Sequence, residues 1–84
     1  MSQNQKPADL TEIKLSDDRV ARIVPFKGKH IRHARIMMRD AGHDFLFALI
    51  AQTTTIDGHG IVPEDLDEMA GADVVKLQAA VEGN

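Results

Sequence analysis

His30 and His33 stand three positions apart within a stretch of helical periodicity, a spacing at which two rings can share one metal ion. Zinc takes three or four protein ligands, and the sequence places neither a carboxylate nor a third histidine to complete the set. The pair is read as solvated helix histidines. The segment Asp57-Gly58-His59-Gly60, with Glu64 beyond it, has the glycine-bearing, oxygen-rich look of a calcium loop. Aligning Gly60 with that loop's obligatory glycine puts Thr55 at the first ligand position and Leu66 where a bidentate glutamate must stand, so the calcium reading fails. The same two glycines make no phosphate cradle, because the Lys-Ser/Thr end of a P-loop is missing and no strand is read leading into them. Ser2 and Ser16 have no histidine placed beside them by a nucleophile motif. The acid pairs Asp17-Asp18 and Glu64-Asp65 suit a turn and a helix start better than general acid–base work. The chain is therefore read as non-enzymatic, with no metal and no cofactor.

The basic series Lys27, Lys29, Arg32, Arg35 and Arg39 invites comparison with nucleic-acid binders, since each charge in such a helix can neutralise a phosphate. Against this, the overall charge is −3, no helix-turn-helix signature precedes the series, and no aromatic residue interleaves it. Nucleic acid is not the expected partner. The charge is nonetheless uneven. Residues 1–40 carry nine Lys or Arg against five Asp or Glu, a net of +4, whereas residues 57–84 carry Lys76 against seven acids, a net of −6. Such asymmetry steers a partner, or it reflects attraction between the two halves inside the fold.

The elements that must position these residues belong to one small domain. Eighty-four residues hold a single core, and the absence of cysteine removes disulfides, thiol chemistry and thiolate zinc sites. The longest uninterrupted apolar run, Phe45 to Ala51, is seven residues, far short of the roughly 20 that span a bilayer. A soluble, non-membrane protein of the cytoplasm is expected, with residues 1–9 as a disordered polar tail and residues 10–84 as the domain.

The expected fold class is α+β, an N-terminal β-hairpin packed against three to four short helices. Leu10–Leu15 and Val20–Phe26 are short apolar or β-branched runs separated by Ser16-Asp17-Asp18-Arg19, a hairpin signal. A two-residue loop sets Ile13 against Arg22. A three-residue loop is read as setting Leu15 against Ala21 and Ile13 against Ile23, the register with the cleaner apolar face. Pro25, which cannot donate a ladder hydrogen bond, ends the second strand or places it at an edge.

A helix is expected over Lys29–Ala41, stopped by Gly42. On a wheel of about 100° per residue with Ile31 at 0°, the residues Met37, Ala41, Ala34 and Met38 fill roughly 240° to 340° and are assigned to the core. Arg32, Arg35 and Arg39 gather at about 40° to 100°, with Ile36 near 140°, outside the apolar arc. An isoleucine flanked by arginines can anchor a partner, so Arg32, Arg35, Ile36 and Arg39 are the candidate protein-binding residues.

Asp44 is read as the cap of a second helix that is apolar at every angle and must be buried nearly all round. That helix fades through Gln52 and Thr53-Thr54-Thr55 into a mobile loop over Asp57–Gly60. A short helix follows over Pro63–Met69. A last helix is capped by Asp73 and carries Val74, Leu77, Ala80 and Val81 on one face.

From about Ile13 to Val81 the chain resembles a known family, the small tail assembly chaperones of Mu-like and P2-like contractile-tailed phages and prophages. The residues that carry the resemblance are Ile13-Lys14-Leu15-Ser16-Asp17-Asp18-Arg19, Val24-Pro25-Phe26-Lys27-Gly28 leading into a helix, and Leu49-Ile50-Ala51. They continue through the Asp57-Gly58 loop, Pro63-Glu64-Asp65-Leu66 and Asp73-Val74-Val75-Lys76-Leu77-Gln78, and it is their order over nearly the whole domain that counts. The resemblance implies a protein of the bacterial host cytoplasm that binds the long, helical, aggregation-prone tape measure protein during tail assembly and is absent from the finished tail. It offers no catalytic residues. Asp18 departs from the family's pattern, where a glycine is common in the turn.

Other tail proteins are further expected partners, and the small core and bipolar charge favour self-association. Two other readings stand beside the chaperone: a small nucleic-acid-binding regulator using the basic first helix, and a permanent structural component of the tail or baseplate.

Overall fold

A computed structural model describes residues 10–83, so the expected tail at residues 1–9 lies outside the described residues. The fold is α+β. Its elements in chain order are β1 (Thr11–Lys14), β2 (Val20–Ile23), α1 (Gly28–Ala41), α2 (Phe45–Thr53), β3 (Thr54–Ile56), β4 (His59–Gly60), α3 (Pro63–Asp67) and α4 (Gly71–Glu82). The strands form one antiparallel sheet in the order β1-β2-β3-β4.

The N-terminal hairpin forms where expected, but in a different register. Ile13 pairs with Ala21 and Thr11 with Ile23, so the expected pairing of Ile13 with Ile23 is corrected. The cause lies in the turn. The Asp18 amide donates to the Leu15 carbonyl (3.0 Å), the Leu15 amide donates to the Arg19 carbonyl (2.8 Å), and Asp18 takes φ 73°. This is a three-residue loop with its third residue left-handed, a conformation that glycine adopts freely and a short Asp side chain tolerates. Because the shift from the expected register is two residues, the inward face is unchanged. Ile13, Leu15, Ala21 and Ile23 point together toward the helices, and Glu12 and Arg22 pair on the other face at 2.8 Å.

Beyond α2 the expected mobile loop is instead a second hairpin. Thr54–Ile56 pairs with β2, and Asp57 (φ 50°) with Gly58 (φ 83°) makes a two-residue turn into β4. Both residues of such a turn need positive φ, which is the reason for Asp-Gly. The Asp57 amide donates to the Val20 carbonyl (2.8 Å), while its carboxylate accepts from the Val20 amide (3.0 Å).

The two capping assignments around α2 hold. Gly42, at φ 73°, closes α1 with its amide on the Met38 carbonyl, and the Asp44 carboxylate accepts the Phe47 amide at 3.0 Å. Ala48, Leu49 and Ile50 are buried and the rest of α2 is buried or half-buried, because α1, α3, α4 and β3 all pack around it. The core joins these residues to Ala34, Leu66, Val74, Leu77 and Val81.

Two helix assignments need correction. α3 ends at Asp67 and not at Met69, and α4 begins at Gly71 with Ala70 at its cap, so Asp73 lies inside the first turn. The Asp73 side chain, in a residue only 3% exposed, reaches across to the first hairpin. It accepts the Ser16 amide (3.1 and 3.3 Å) and the Ser16 hydroxyl (2.8 Å).

Leu49→Ala, at the centre of this core, is expected to cost about 2 to 5 kcal/mol in urea unfolding; a loss below about 1 kcal/mol would contradict the packing of α2. Asp73→Ala removes hydrogen bonds to a charged acceptor and is expected to cost about 1.5 to 3 kcal/mol. Ser16→Ala keeps the amide donor and is expected to cost less than Asp73→Ala in the same measurement. An equal or larger cost would show that the hydroxyl, and not the carboxylate as a whole, ties the hairpin to α4.

Candidate functional site

The first helix carries its polar and apolar residues in the order that the wheel describes, with one correction. Ala34 is fully buried and Ile31 and Met37 are half-buried, but Met38 is 44% exposed and Ala41 is exposed too, so neither belongs to the core. The angle of Met38 lies between those of Ile31 and Ala34, hence the error is not one of rotation. Every residue from Met38 to Gly42 is exposed, so a core-facing angle does not secure cover at this end of the helix.

The site lies on α1 from Arg32 to Arg39, beside the start of α2. Ile36, at 38% exposure, and Met38 stand beside Phe45, the first residue of α2, which the Gly42–Asp44 connection folds back against α1. Arg32, Arg35 and Arg39 complete the lining of the same open groove. All four candidate residues, Arg32, Arg35, Ile36 and Arg39, thus come together on one surface. Met38 and Phe45 join them unforeseen.

Two of the groove's three arginines lack an acid partner among the described residues. Arg39 bonds its neighbour Asp40 at 2.9 Å, while Arg32 and Arg35 have no ion-pair partner among the described residues. The first hairpin's cations pair within their own segment, Arg19 with Asp17 and Arg22 with Glu12, and Lys76 approaches Asp73 at 4.0 Å. Among the described residues no Lys or Arg before position 41 pairs with a carboxylate after position 56. The uneven charge is therefore not consumed by ion pairs between the halves.

His30 and His33 have different surroundings. His33 is exposed, whereas the half-buried His30 ring accepts the Lys27 amide on Nδ1 at 2.8 Å and so satisfies a donor at the start of α1. Burial, and then the positive charges of Lys29, His33 and Lys27, hold its pKa below the ordinary histidine value. Among the described residues no three His, Asp or Glu side chains are grouped to hold a metal ion, and no helix is long and apolar enough to cross a membrane.

Because the folded state binds this proton less readily than the unfolded chain, His30 contributes stability that is fully present above about pH 6.5 and is lost as pH falls through its lowered pKa. His30→Gln keeps an acceptor for the Lys27 amide and removes the titration. The melting temperature of the variant is expected to fall less than that of the parent between about pH 7 and pH 5. Parallel curves would show that the ring does not report on folding.

No family model, curated protein or solved structure matches this chain.

Proposed function

We propose that the chain is a tail assembly chaperone of a contractile-tailed phage or prophage, which holds the tape measure protein during tail morphogenesis in the bacterial cytoplasm and performs no chemistry. The order of motifs from Ile13 to Val81 supports the family, and one observation supports the docking face. Ile36, Met38 and Phe45 line one open groove with Arg32, Arg35 and Arg39, and Ile36 and Met38 are exposed.

The chemistry fits a protein client. Methionine and isoleucine offer a surface that adapts to varied apolar side chains, phenylalanine gives a rigid anchor, and arginines desolvate at lower cost than lysines while bonding carboxylates and backbone carbonyls. A nucleic-acid interface would place its cations along a phosphate track with stacking residues between them. Here the apolar residues lie together at one end.

Titration against a soluble fragment of the tape measure protein tests the reading. Arg35→Glu combined with Arg39→Glu is expected to weaken binding by more than about 1.4 kcal/mol, a factor of ten. Ile36→Ser should weaken it as well while changing stability by no more than about 0.5 kcal/mol, as for a residue outside the core. Unaltered affinity in both variants moves the docking face elsewhere. Salt-dependent capture of DNA by the parent, lost in the arginine variant, would favour the regulator in place of the chaperone.

A further inference from the structure

The groove's unpaired cations, Arg32 and Arg35, have a counterpart in the acids of α3 and the residue after it. Glu64, Asp65, Asp67 and Glu68 are all exposed within and just after α3, and Val62, directly before them, is 52% exposed. The Asp65 carboxylate accepts the Val62 amide at 3.0 Å and Glu64 lies 3.4 Å from His43. Asp67 and Glu68 have no side-chain hydrogen bond or ion pair among the described residues. One chain thus presents arginines around an apolar floor, and carboxylates beside an exposed valine, without joining them.

We infer that the α1 groove is occupied, when no client is present, by the α3 segment of a second copy of this chain. The apolar residue of the inserted segment is Val62, and the carboxylates that meet Arg32 and Arg35 are Asp67 and Glu68. The inferred contact is made once between two copies, head-to-tail, and not twice about a two-fold axis. Repeating it leaves a free groove at one end of the assembly and a free α3 at the other, and unless the rotation closes a ring the product grows with concentration. Each contact is small and rests on exposed charges, which makes it weak and sensitive to salt. A domain of this size commonly gains stability from self-association. The inference shares its groove with the proposed client site, so self-association and client binding compete.

Sedimentation velocity of the full chain, with no client present, tests the contact. At about 0.02 M salt the average mass is expected to rise with concentration beyond that of a dimer, and at about 0.5 M salt to fall toward the monomer. Arg32→Glu with Arg35→Glu breaks the groove, and Asp67→Lys with Glu68→Lys breaks the inserted segment. Each variant alone should be monomeric. Mixed in equal amounts they should associate again and grow with concentration as the parent does, because the native α3 of one meets the native groove of the other and the introduced lysines meet the introduced glutamates.

A chain carrying all four reversals should associate again, which guards against loss through misfolding. A parent that stays monomeric at low salt, or a mixture that stays monomeric, overturns the inference. So does a variant at Asp67 and Glu68 that associates like the parent. That variant retains the whole groove, so it should bind the tape measure fragment at least as tightly as the parent. Client binding lost in both double variants would count against the head-to-tail contact alone, and client binding unchanged by the arginine reversals would count against the proposed docking face alone.

Discussion

A nine-residue helix without a polar side, Phe45–Thr53, is the constraint from which the rest of the architecture follows. Water can face none of its flanks at low cost, so the chain must supply cover on every side. α1 lies along it, α3 and α4 close over it, and β3 leaves directly from its last residue with no intervening loop. That last feature explains how a sheet and a helical layer fit into so few residues. The strand that joins the two hairpins begins where the central helix stops, so the position of the helix also sets the position of the sheet.

The sheet answers the same demand with one face. Its inward residues, Leu15, Ala21, Ile23, Thr54 and Ile56, are all buried, whereas Glu12, Lys14 and Arg22 on the outer face are exposed. No helix covers that outer face among the described residues. Within the helical layer the cover is less complete, since Ile36 and Met38 on α1 stay exposed beside the half-buried Phe45 of α2. The candidate site is therefore an apolar surface that the folded chain leaves to water where its first two helices meet.

Parts of this were legible in the residues and parts were not, for physical reasons. The faces of the first hairpin could be read because side chains alternate strictly, but its register depended on Asp18 accepting a left-handed backbone, which residue type alone does not decide. The second hairpin is hard to read because three threonines after an apolar helix look like fraying, and a strand of three residues is too short to display alternation. Its Asp-Gly turn was the available signal. The wheel grouped Arg32, Arg35, Ile36 and Arg39 correctly because angle is local to one helix. Met38 has a core-facing angle and is still exposed, because angle alone does not say what lies opposite, and Phe45 is outside a wheel's reach because it arrives from another element. Asp73 suited an ordinary cap, and nothing in its neighbours announced a contact with Ser16.

The Ser16–Asp73 contact spans 57 positions, from the first turn of the domain to the start of its last helix. On the ribosome these residues emerge far apart in time, by roughly 3 to 11 s at ordinary rates of synthesis. Through that interval the turn amide and hydroxyl have only water to bond, and the inward face of the hairpin lacks α4, which packs on both β1 and β2. The domain therefore closes late. Its order of assembly is set by the chain's last helix, and any change that delays or removes α4 leaves the first hairpin translated but unsecured.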